Sequence, residues 1–451
     1  MIGRVVVRRG GCGGLRGGRG RLAQVQVQRA DAALGVLVAR VVGVLAEEGV
    51  WRDGLLLDRA YIGGQWVEAD DGSVAVEEGP VVLGGVGEEV GELIRDLDPV
   101  HGAGQHVLRA GPRFVVCSFV PRKLDYHPQA VPVRLAELMK EAGLPDGILN
   151  VVHGDKEMVD AILDHDDIKA ISFVGSSDIA HYIYSRGTAN GKRVQAFGGA
   201  KNHGIVMPDA DLDQVVNDLA GAAFGSAGER CMALPVVVPV GDKTADALRE
   251  KLIPAIEGLR VGVSTDPEAH YGPVVNAAHK ERIENYIQMC IDEGGELVVD
   301  GRGFTLQGHE QGYFIGPTFF DHVKPSFQSY QEEIFGPVLQ MVRAASFDEA
   351  VRLPSEHQYG NGVAIFTRNG HAAREFAARV NVGMVGVNVP IPVPVAYHTF
   401  GGWKRSGFGD INQHGMEGVR FWTKVKTVTQ RWPDDFVEAL STEAFHIPTM
   451  G

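Results

Sequence analysis

The sequence predicts an α/β protein, and two observations support this class. Helical and strand patterns alternate from Val131 onward, and the strands are short apolar runs that end in turn residues. The 451 residues include 44% apolar and 22% charged residues, which is ordinary for a soluble globular protein of about three domains. Because strands that alternate with helices usually pair in parallel, a parallel sheet is expected.

Two αβ units open the patterned part of the chain. The apolar spacing predicts helices around 133–139 and 158–163, and strands over 148–152 and 168–174. Gly143 is expected to end the first helix, since glycine readily adopts the left-handed conformation found there. A third helix should follow the second strand.

The turn after the second strand is a candidate phosphate site. Phe173 lies at the end of the strand, and Gly175 and Ser176 lead into the next helix. A small residue here lets backbone amides, and the Ser176 hydroxyl, approach an anion at the positive helix end. The alternative is that Ser176 is an ordinary N-cap.

Composition limits the partners. The net charge of −14 argues against nucleic acid. Four scattered cysteines form neither a disulfide framework nor a CxxC zinc site, so we expect a reducing, cytoplasmic compartment and no metal. The longest apolar stretch, 32–46, is interrupted by Arg40 and is shorter than the roughly 20 residues of a membrane helix, so no membrane partner is expected.

The first 130 residues differ from the rest. Residues 1–122 contain 14 arginines and no lysine, and seven of the eleven positions from Gly10 to Gly20 are glycine. The absence of a regular amphipathic face disfavours a transit peptide. We expect an atypical region over 1–130, either a poorly folded extension or a coding-frame artefact.

Several motifs carry the chemistry. The stretch 225–234 reads GSAGERCMAL, 333–337 reads EIFGP and 400–410 reads FGGWKRSGFGD. Together and in this order they resemble the aldehyde dehydrogenase superfamily. The GERCMA core of the first motif, GAKNH at 199–203 and TKVKTVTQRW at 423–432 are similar to its CoA-acylating branch that acts on methylmalonate semialdehyde.

The resemblance extends from Val131 to about Pro433 and implies an aldehyde dehydrogenase-like fold. It implies an incomplete Rossmann-type nucleotide-binding domain, an α/β catalytic domain and a C-terminal oligomerisation strand at 425–429 that pairs across subunits. A homo-oligomer, dimer or tetramer, is therefore expected. The expected divisions of the chain are 1–130 (atypical), 131–207 (remainder of the nucleotide-binding domain), 208–395 (catalytic domain) and 396–451 (C-terminal segment).

Cys231 is the candidate nucleophile. A thiolate that adds to an aldehyde forms a tetrahedral thiohemiacetal, which can release hydride. A buried structural cysteine is the alternative. The site should lower the thiol pKa with nearby amides or positive charge, and Arg230 is the adjacent cation. The resemblance also implies that Arg230 holds a substrate carboxylate; otherwise it is a solvated surface arginine.

NAD is the implied cofactor. In the resemblance, Glu333 accepts hydrogen bonds from the nicotinamide ribose, and Phe335 packs against the same end. Phe173, Gly175 and Ser176 would lie at the phosphates. Lys123 is a candidate for the adenosine ribose, with an ordinary solvated lysine as the alternative.

Coenzyme A is the implied co-substrate. Hydrolytic members of the superfamily have a glutamate before paired glycines, and here the corresponding residue in VQAFGG (194–199) is Ala196, which cannot accept a proton. A thiol acceptor can attack the thioester on Cys231 without that carboxylate. For malonate or methylmalonate semialdehyde the resemblance implies acetyl-CoA or propionyl-CoA and loss of CO2.

One family element is missing from the sequence. No Pro-Phe-Asn-Phe-Pro-like segment is found, whose asparagine stabilises the oxyanion in the superfamily. Loss of one such donor typically lowers the rate about a hundred- to a thousandfold. The competing hypothesis is therefore an inactive or fragmentary relative of the enzymes.

Overall fold

The computed structural model describes residues 130–154 and 156–429, together with the backbone of six short strands nearer the N-terminus. The strands are β1 (Arg4–Val5), β2 (Val25–Gln26), β3 (Arg59–Ile62), β4 (Gln65–Glu68), β5 (Val82–Val86), β6 (Arg113–Ser118), β7 (Leu149–His153), β8 (Ile168–Val174), β9 (Arg193–Phe197), β10 (His203–Val206), β11 (Val236–Pro239), β12 (Glu296–Val299), β13 (Thr318–Asp321), β14 (Val338–Met341), β15 (Tyr359–Gly360), β16 (Gly362–Phe366), β17 (Met384–Val387), β18 (Trp403–Lys404) and β19 (Gly407–Phe408).

The helices lie between these strands. They are α1 (Ala130–Glu141), α2 (Lys156–Asp164), α3 (Ser177–Ala189), α4 (Leu212–Phe224), α5 (Asp242–Glu257), α6 (Ala277–Asp292), α7 (Gln328–Gln331), α8 (Phe347–Glu356), α9 (Gly370–Arg379) and α10 (Gly415–Trp422), with a 3-10 turn at Gly225–Gly228. None of the helices within the described ranges is long and apolar enough to cross a membrane.

The predicted αβ units are confirmed. Helices α1 and α2 cover the expected apolar repeats, and β7 and β8 lie within one residue of the predicted strands. Gly143 follows α1 with φ of 100°, a left-handed conformation that costs glycine little. Helix α3 follows β8, as the sequence predicts.

The first sheet has eight strands in the order β19-β9-β8-β5-β6-β7-β3-β4. The pairs β6/β7 and β8/β9 are parallel, as predicted. The sheet as a whole is mixed, because β5 runs antiparallel to both β6 and β8, and β3 runs antiparallel to β7. Helices α2 and α3 pack on this sheet through a core that includes Ile171, Phe173 and Ile183.

The second sheet has seven strands in the order β12-β13-β14-β11-β10-β16-β17, all parallel to their neighbours except the edge strand β12. Ile205 of β10 lies in register with Val238 of β11 and with Ile365 of β16. All three residues belong to the largest apolar core, because the central strands of this sheet are buried on both faces. Strand β10 joins this sheet at His203, a few residues before the predicted division at 207.

Capping side chains fix the starts of the helices around this sheet. Asp211 accepts from the Gln214 N–H at the start of α4, Asn276 from the His279 N–H at α6, and Ser346 from the Glu349 N–H at α8. Such caps satisfy amides that have no partner within the helix.

Residues 423–429 form neither helix nor strand in the single chain, and Val425 is 94% exposed. The oligomerisation strand at 425–429 therefore stays a prediction.

Candidate active site

A strained turn presents Cys231 at the surface. Helix α4 ends at Phe224, and three residues of the following turn have left-handed backbone angles, with φ of 53° at Ser226, 55° at Ala227 and 71° at Gly228. Such angles are uncommon for residues other than glycine; they cost free energy and persist only where the surroundings enforce them. Cys231 follows this turn and is exposed, whereas Cys290, the other cysteine whose side chain is described, is buried.

The local electrostatics do not lower the thiol pKa as expected. The pKa of Cys231 is raised, chiefly because the sulfur is partly removed from water and secondarily because Glu333 is negatively charged nearby. The N–H groups of Cys231 and Met232 point to the sulfur and act in the opposite direction. The expectation of a lowered pKa is therefore wrong, although its amide contribution is present.

Arg230 does not supply the expected positive charge to the thiol. Its guanidinium folds back over the turn, where Nε donates to the Ser226 hydroxyl at 3.2 Å and Nη1 to the Gly221 carbonyl at 3.4 Å. Gly225 makes room for it, because a Cβ there would lie 2.8 Å from Nη1. The residue is exposed, so its role toward a substrate carboxylate stays a prediction.

Glu333 is held against the turn after β9. Its Oε1 accepts the Ala200 N–H at 2.9 Å, and its backbone carbonyl accepts from Arg282 Nη2 at 2.9 Å. Burial raises the pKa of this carboxyl, partly offset by the Ala200 N–H and the Lys201 charge. The Glu333 loop also meets the cysteine turn, since a Cβ on Gly228 would overlap the carbonyl of Gly336.

Phe335 has a left-handed backbone, with φ of 58°. The Nε2 of His279 lies 2.6 Å from the Phe335 carbonyl oxygen and 3.2 Å from Glu229 Oε1. Because both oxygens are acceptors, Nε2 carries a proton. The imidazole of His279 thus joins Glu229, which precedes Arg230 and Cys231, to the predicted cofactor residue Phe335.

The phosphate-site candidates lie at the end of β8. Phe173 is buried, and the Gly175 N–H donates to the Phe197 carbonyl at 2.9 Å. Ser176 is exposed and is the N-cap residue of α3 by its position and extended backbone, although its side chain makes no capping hydrogen bond, so its phosphate role stays a prediction. Its hydroxyl stays available at the helix N-terminus. Lys123 lies outside the described residues.

The turn at 198–200 brings these candidates to one edge of the sheet. The Gly199 N–H donates to the Ser177 hydroxyl at 3.0 Å, on the helix that Ser176 precedes, while the next amide, that of Ala200, binds Glu333. The Ser406 hydroxyl in the FGGWKRSGFGD motif donates to the Gly199 carbonyl at 2.6 Å. This C-terminal motif therefore holds the turn that connects the two predicted cofactor regions.

No proton acceptor stands where the superfamily has its hydrolytic glutamate. Ala196 is buried and pairs with Phe408 in β19. The following residue, Phe197, packs against Phe400 with ring centroids 6.5 Å apart.

A buried basic cluster lies behind the Glu333 loop. Lys201 Nζ donates to the carbonyls of Ser329 at 2.8 Å and Glu332 at 2.9 Å, and burial lowers its pKa to about 7. His203 Nε2 lies 2.7 Å from the Tyr330 hydroxyl, and His357 packs on both rings. No local sequence pattern indicates this cluster, although Lys201 and His203 lie within the GAKNH motif.

Two asparagines that the sequence analysis also missed contact Cys231. The Nδ2 groups of Asn202 and Asn361 donate to the Cys231 carbonyl oxygen at 3.0 and 2.9 Å. Asn202 belongs to GAKNH, so the motif contained one of the two. Asn361 is far away in sequence and only the pairing of β10 with β16 brings it here.

A cluster of possible metal ligands is accounted for by ion pairs. Donor atoms of Glu296, Asp321 and His322 lie within 4.8 Å of one another. Asp321 is already bound by Arg249 Nη1 at 2.9 Å and Arg343 Nη2 at 2.8 Å. The guanidinium groups supply the positive charge that this buried carboxylate requires.

The α/β fold, the exposed Cys231 and the neighbouring Glu333 loop agree with a class of enzymes that use a cysteine nucleophile. The sequence profile of the aldehyde dehydrogenase family matches residues 117–428, and the chain belongs to this family.

Among its relatives, the malonate-semialdehyde dehydrogenase of Pseudomonas aeruginosa is 55% identical over 336 residues, 74% of this chain and 67% of that protein. The mitochondrial acylating methylmalonate-semialdehyde dehydrogenase of Arabidopsis thaliana is 49% identical over 325 residues, 72% of this chain and 53% of that protein. The chain thus spans at most about two thirds of the length of these relatives.

Solved structures of aldehyde dehydrogenases superpose on this chain. The methylmalonate-semialdehyde dehydrogenase of Oceanimonas doudoroffii superposes with a TM-score of 0.69 at 56% identity, covering 72% of this chain and 65% of that chain. Betaine aldehyde dehydrogenase from Staphylococcus aureus in complex with NAD+ superposes with a TM-score of 0.62 at 27% identity, covering 64% of this chain and 57% of that chain.

The basic cluster predicts a specific loss of stability in acid. Burial lowers the pKa of His357 from 6.5 to about 4, and its Nε2 lies 3.2 Å from the Tyr330 carbonyl while Nδ1 accepts the Tyr359 N–H. The unfolded chain therefore binds more protons between pH 6.5 and 4. His357 contributes stability above pH 6.5 that is lost toward pH 4, about 3 kcal/mol in total.

His357→Gln should lose less unfolding free energy than the wild type when the pH falls from 6.5 to 4.5, as measured by urea unfolding. The difference between the two proteins at pH 8, where the imidazole is neutral in both states, gives the cost of the substitution itself. If the unfolding free energies of the two proteins fall equally between pH 6.5 and 4.5, His357 is not the group that causes the loss.

Proposed function

We propose that this chain is an NAD-dependent, CoA-acylating dehydrogenase of malonate or methylmalonate semialdehyde, with Cys231 as its nucleophile. The observation that carries the proposal is the exposed Cys231, on a turn packed against the Glu333 loop. Relatives that are about half identical over the same region bear these names.

The residues fit a dinucleotide. Glu333 offers carboxylate oxygens to ribose hydroxyls, and Gly175 and Ser176 lie before a helix of 13 residues whose N-terminus favours an anion. Phe335 would pack against the nicotinamide end. When bound, NAD accepts a hydride. The further assignment of Lys123 to the adenosine ribose remains part of this proposal.

The chemistry follows from the thiolate. The Cys231 sulfur adds to the aldehyde carbon, and the carbonyl π electrons move to its oxygen. When this oxyanion reforms the C=O bond, the hydride leaves with its electron pair and a thioester remains on Cys231. Arg230 would hold the substrate carboxylate, which departs as CO2 and leaves a carbanion that takes up a proton.

The acceptor of the acyl group should be a thiol. Ala196 and Phe197 carry no group that can activate water, so hydrolysis of the thioester should be slow. The thiolate of coenzyme A can attack the thioester carbon and release the Cys231 thiolate. The products would be acetyl-CoA or propionyl-CoA, NADH and CO2.

Coenzyme A should therefore be required for turnover. We expect NADH formation from methylmalonate semialdehyde, followed at 340 nm, to continue beyond one equivalent only when CoA is present. Cys231→Ala should abolish it, whereas Cys290→Ala, at the buried thiol, should retain activity. Equal steady-state rates with and without CoA would exclude the acylating assignment and indicate hydrolysis.

NAD binding separates this proposal from an inactive or fragmentary relative. An NAD concentration of 100 times Kd should stabilise the folded chain by about 2.7 kcal/mol. Glu333→Gln should weaken this stabilisation, because the neutral amide is a poorer acceptor for ribose hydroxyls, while Glu356→Gln on the exposed end of α8 should not. Thermal unfolding with and without NAD measures this stabilisation in the wild type and in both variants. A wild-type unfolding temperature that NAD does not change would favour the inactive relative.

A homo-oligomer is also part of the proposal. The segment TKVKTVT (423–429) is rich in β-branched residues, and its backbone makes no strand pairing within the single chain. An edge of this kind can pair with a second copy. Sedimentation velocity should show a dimer or tetramer. Thr427→Pro removes one backbone donor and should shift the equilibrium between oligomer and monomer toward the monomer. Thr427→Ala is the matched control, and a wild-type monomer would refute the assembly.

A further inference from the structure

The carbonyl oxygen of Cys231 receives two side-chain amides. Asn202 Nδ2 donates to it at 3.0 Å and Asn361 Nδ2 at 2.9 Å. A carbonyl oxygen has two lone pairs, so both are used. The asparagines are 2% and 5% exposed, and water therefore competes poorly for these hydrogen bonds.

Asn202 is itself locked in place. Its second Nδ2 hydrogen goes to the Ala233 carbonyl at 2.8 Å, and its Oδ1 accepts the Gly362 N–H at 2.9 Å. The surrounding donors and acceptors thus determine which end of the amide is oxygen. Asn361 Nδ2 also lies 3.0 Å from the Met232 sulfur.

Both asparagines stand at the starts of rigid central strands. Asn202 immediately precedes β10 and Asn361 immediately precedes β16, and β10 lies between β11 and β16 in the second sheet. Cys231 lies on the loop that leads to β11. The loop that carries Cys231 is therefore anchored to two neighbouring strands at Cys231 itself.

Anchoring this oxygen also orients a donor. The C=O of Cys231 and the N–H of Met232 belong to one planar peptide unit and point in opposite directions, so fixing the oxygen fixes the N–H. Hydrogen bonding by the Met232 N–H is one of the influences that lower the pKa of the Cys231 thiol. A hydrogen bond to a thiolate is stronger than one to a neutral thiol.

We propose that Asn202 and Asn361 are positioning residues for the nucleophile: by holding the Cys231 carbonyl they direct the Met232 N–H at Sγ and favour the thiolate. The inference rests on the proposed role of Cys231. It differs from a purely structural clamp, which would hold the loop together without changing the ionisation of the sulfur.

The test is the pH dependence of alkylation, which needs neither cofactor nor turnover. The full chain is treated with iodoacetamide at a series of pH values, digested with trypsin, and analysed by mass spectrometry. Cleavage after Arg230 and Lys243 yields a peptide, 231–243, in which Cys231 is the only cysteine. Because the thiolate is the reactive form, the profile gives the pKa of this thiol.

Asn361→Ala should slow alkylation about three- to tenfold at pH values below the thiol pKa, the size expected for loss of one hydrogen bond, and leave the high-pH plateau nearly unchanged. The matched control is Asn388→Ala, directly after β17, where Asn388 makes two hydrogen bonds to the backbone of Thr367 at the far end of β16. Since Asn388 has φ of 54°, alanine there is at least as demanding for the fold, but it should leave the profile unchanged.

If Asn361→Ala does not fold, Asn361→Ser replaces it. The serine donor lies one bond nearer the backbone and falls short of the Cys231 oxygen, so the same slowing is expected. Profiles of the Asn361 variant and the Asn388 control that both match the wild type would overturn the inference. A wild-type Cys231 that fails to react at any pH would instead refute the proposed function, so the two failures are distinguishable.

Discussion

The contact between two backbones, at Gly228 and Gly336, is the constraint on which the site depends. No side chain fits between them, because a Cβ on Gly228 would overlap the Gly336 carbonyl. The contact brings the turn before Cys231 against the loop that bears Glu333. The turn that leads to Gly228 has left-handed angles at Ser226 and Ala227, which cost free energy and persist only where the surrounding contacts enforce them.

Three further connections, two from the GAKNH motif and one from the FGGWKRSGFGD motif, keep this contact in register. Lys201 binds the carbonyl of Ser329 within α7 and that of Glu332 directly after it. Ala200 binds the Glu333 carboxylate itself, and Ser406 holds the carbonyl of the preceding glycine, Gly199. The GAKNH and FGGWKRSGFGD motifs therefore act as supports for the reactive groups, although neither contains the proposed nucleophile.

Local signals in the sequence were sufficient for the elements from α1 to α3, because apolar periodicity and glycine stops act within a few residues. Cys231 and Glu333 came from motifs that carry the family resemblance, and their roles stay predictions, although the structure packs the turn before Cys231 against the Glu333 loop. Local signals failed where distant segments meet: the antiparallel entry of β5, the buried His203–His357 cluster and the amide of Asn361 all depend on strand order. The expected direction of the Cys231 pKa shift was wrong for a similar reason: burial of the sulfur and the charge of the distant residue Glu333 raise this pKa, while the neighbouring Arg230 side chain turns back to Ser226.

The charges at the site oppose one another. Glu333 disfavours the thiolate and is itself destabilised by burial, so both acidic groups have raised pKa values. Lys201 stabilises the charged Glu333, but burial lowers its own pKa to about 7, so the compensation weakens as the pH rises through that value. Peptide amides carry no titratable charge and do not weaken in this way. The N–H groups at Cys231 and Met232 are thus a pH-independent support for the thiolate, and their orientation matters more here than the nearby lysine or arginine.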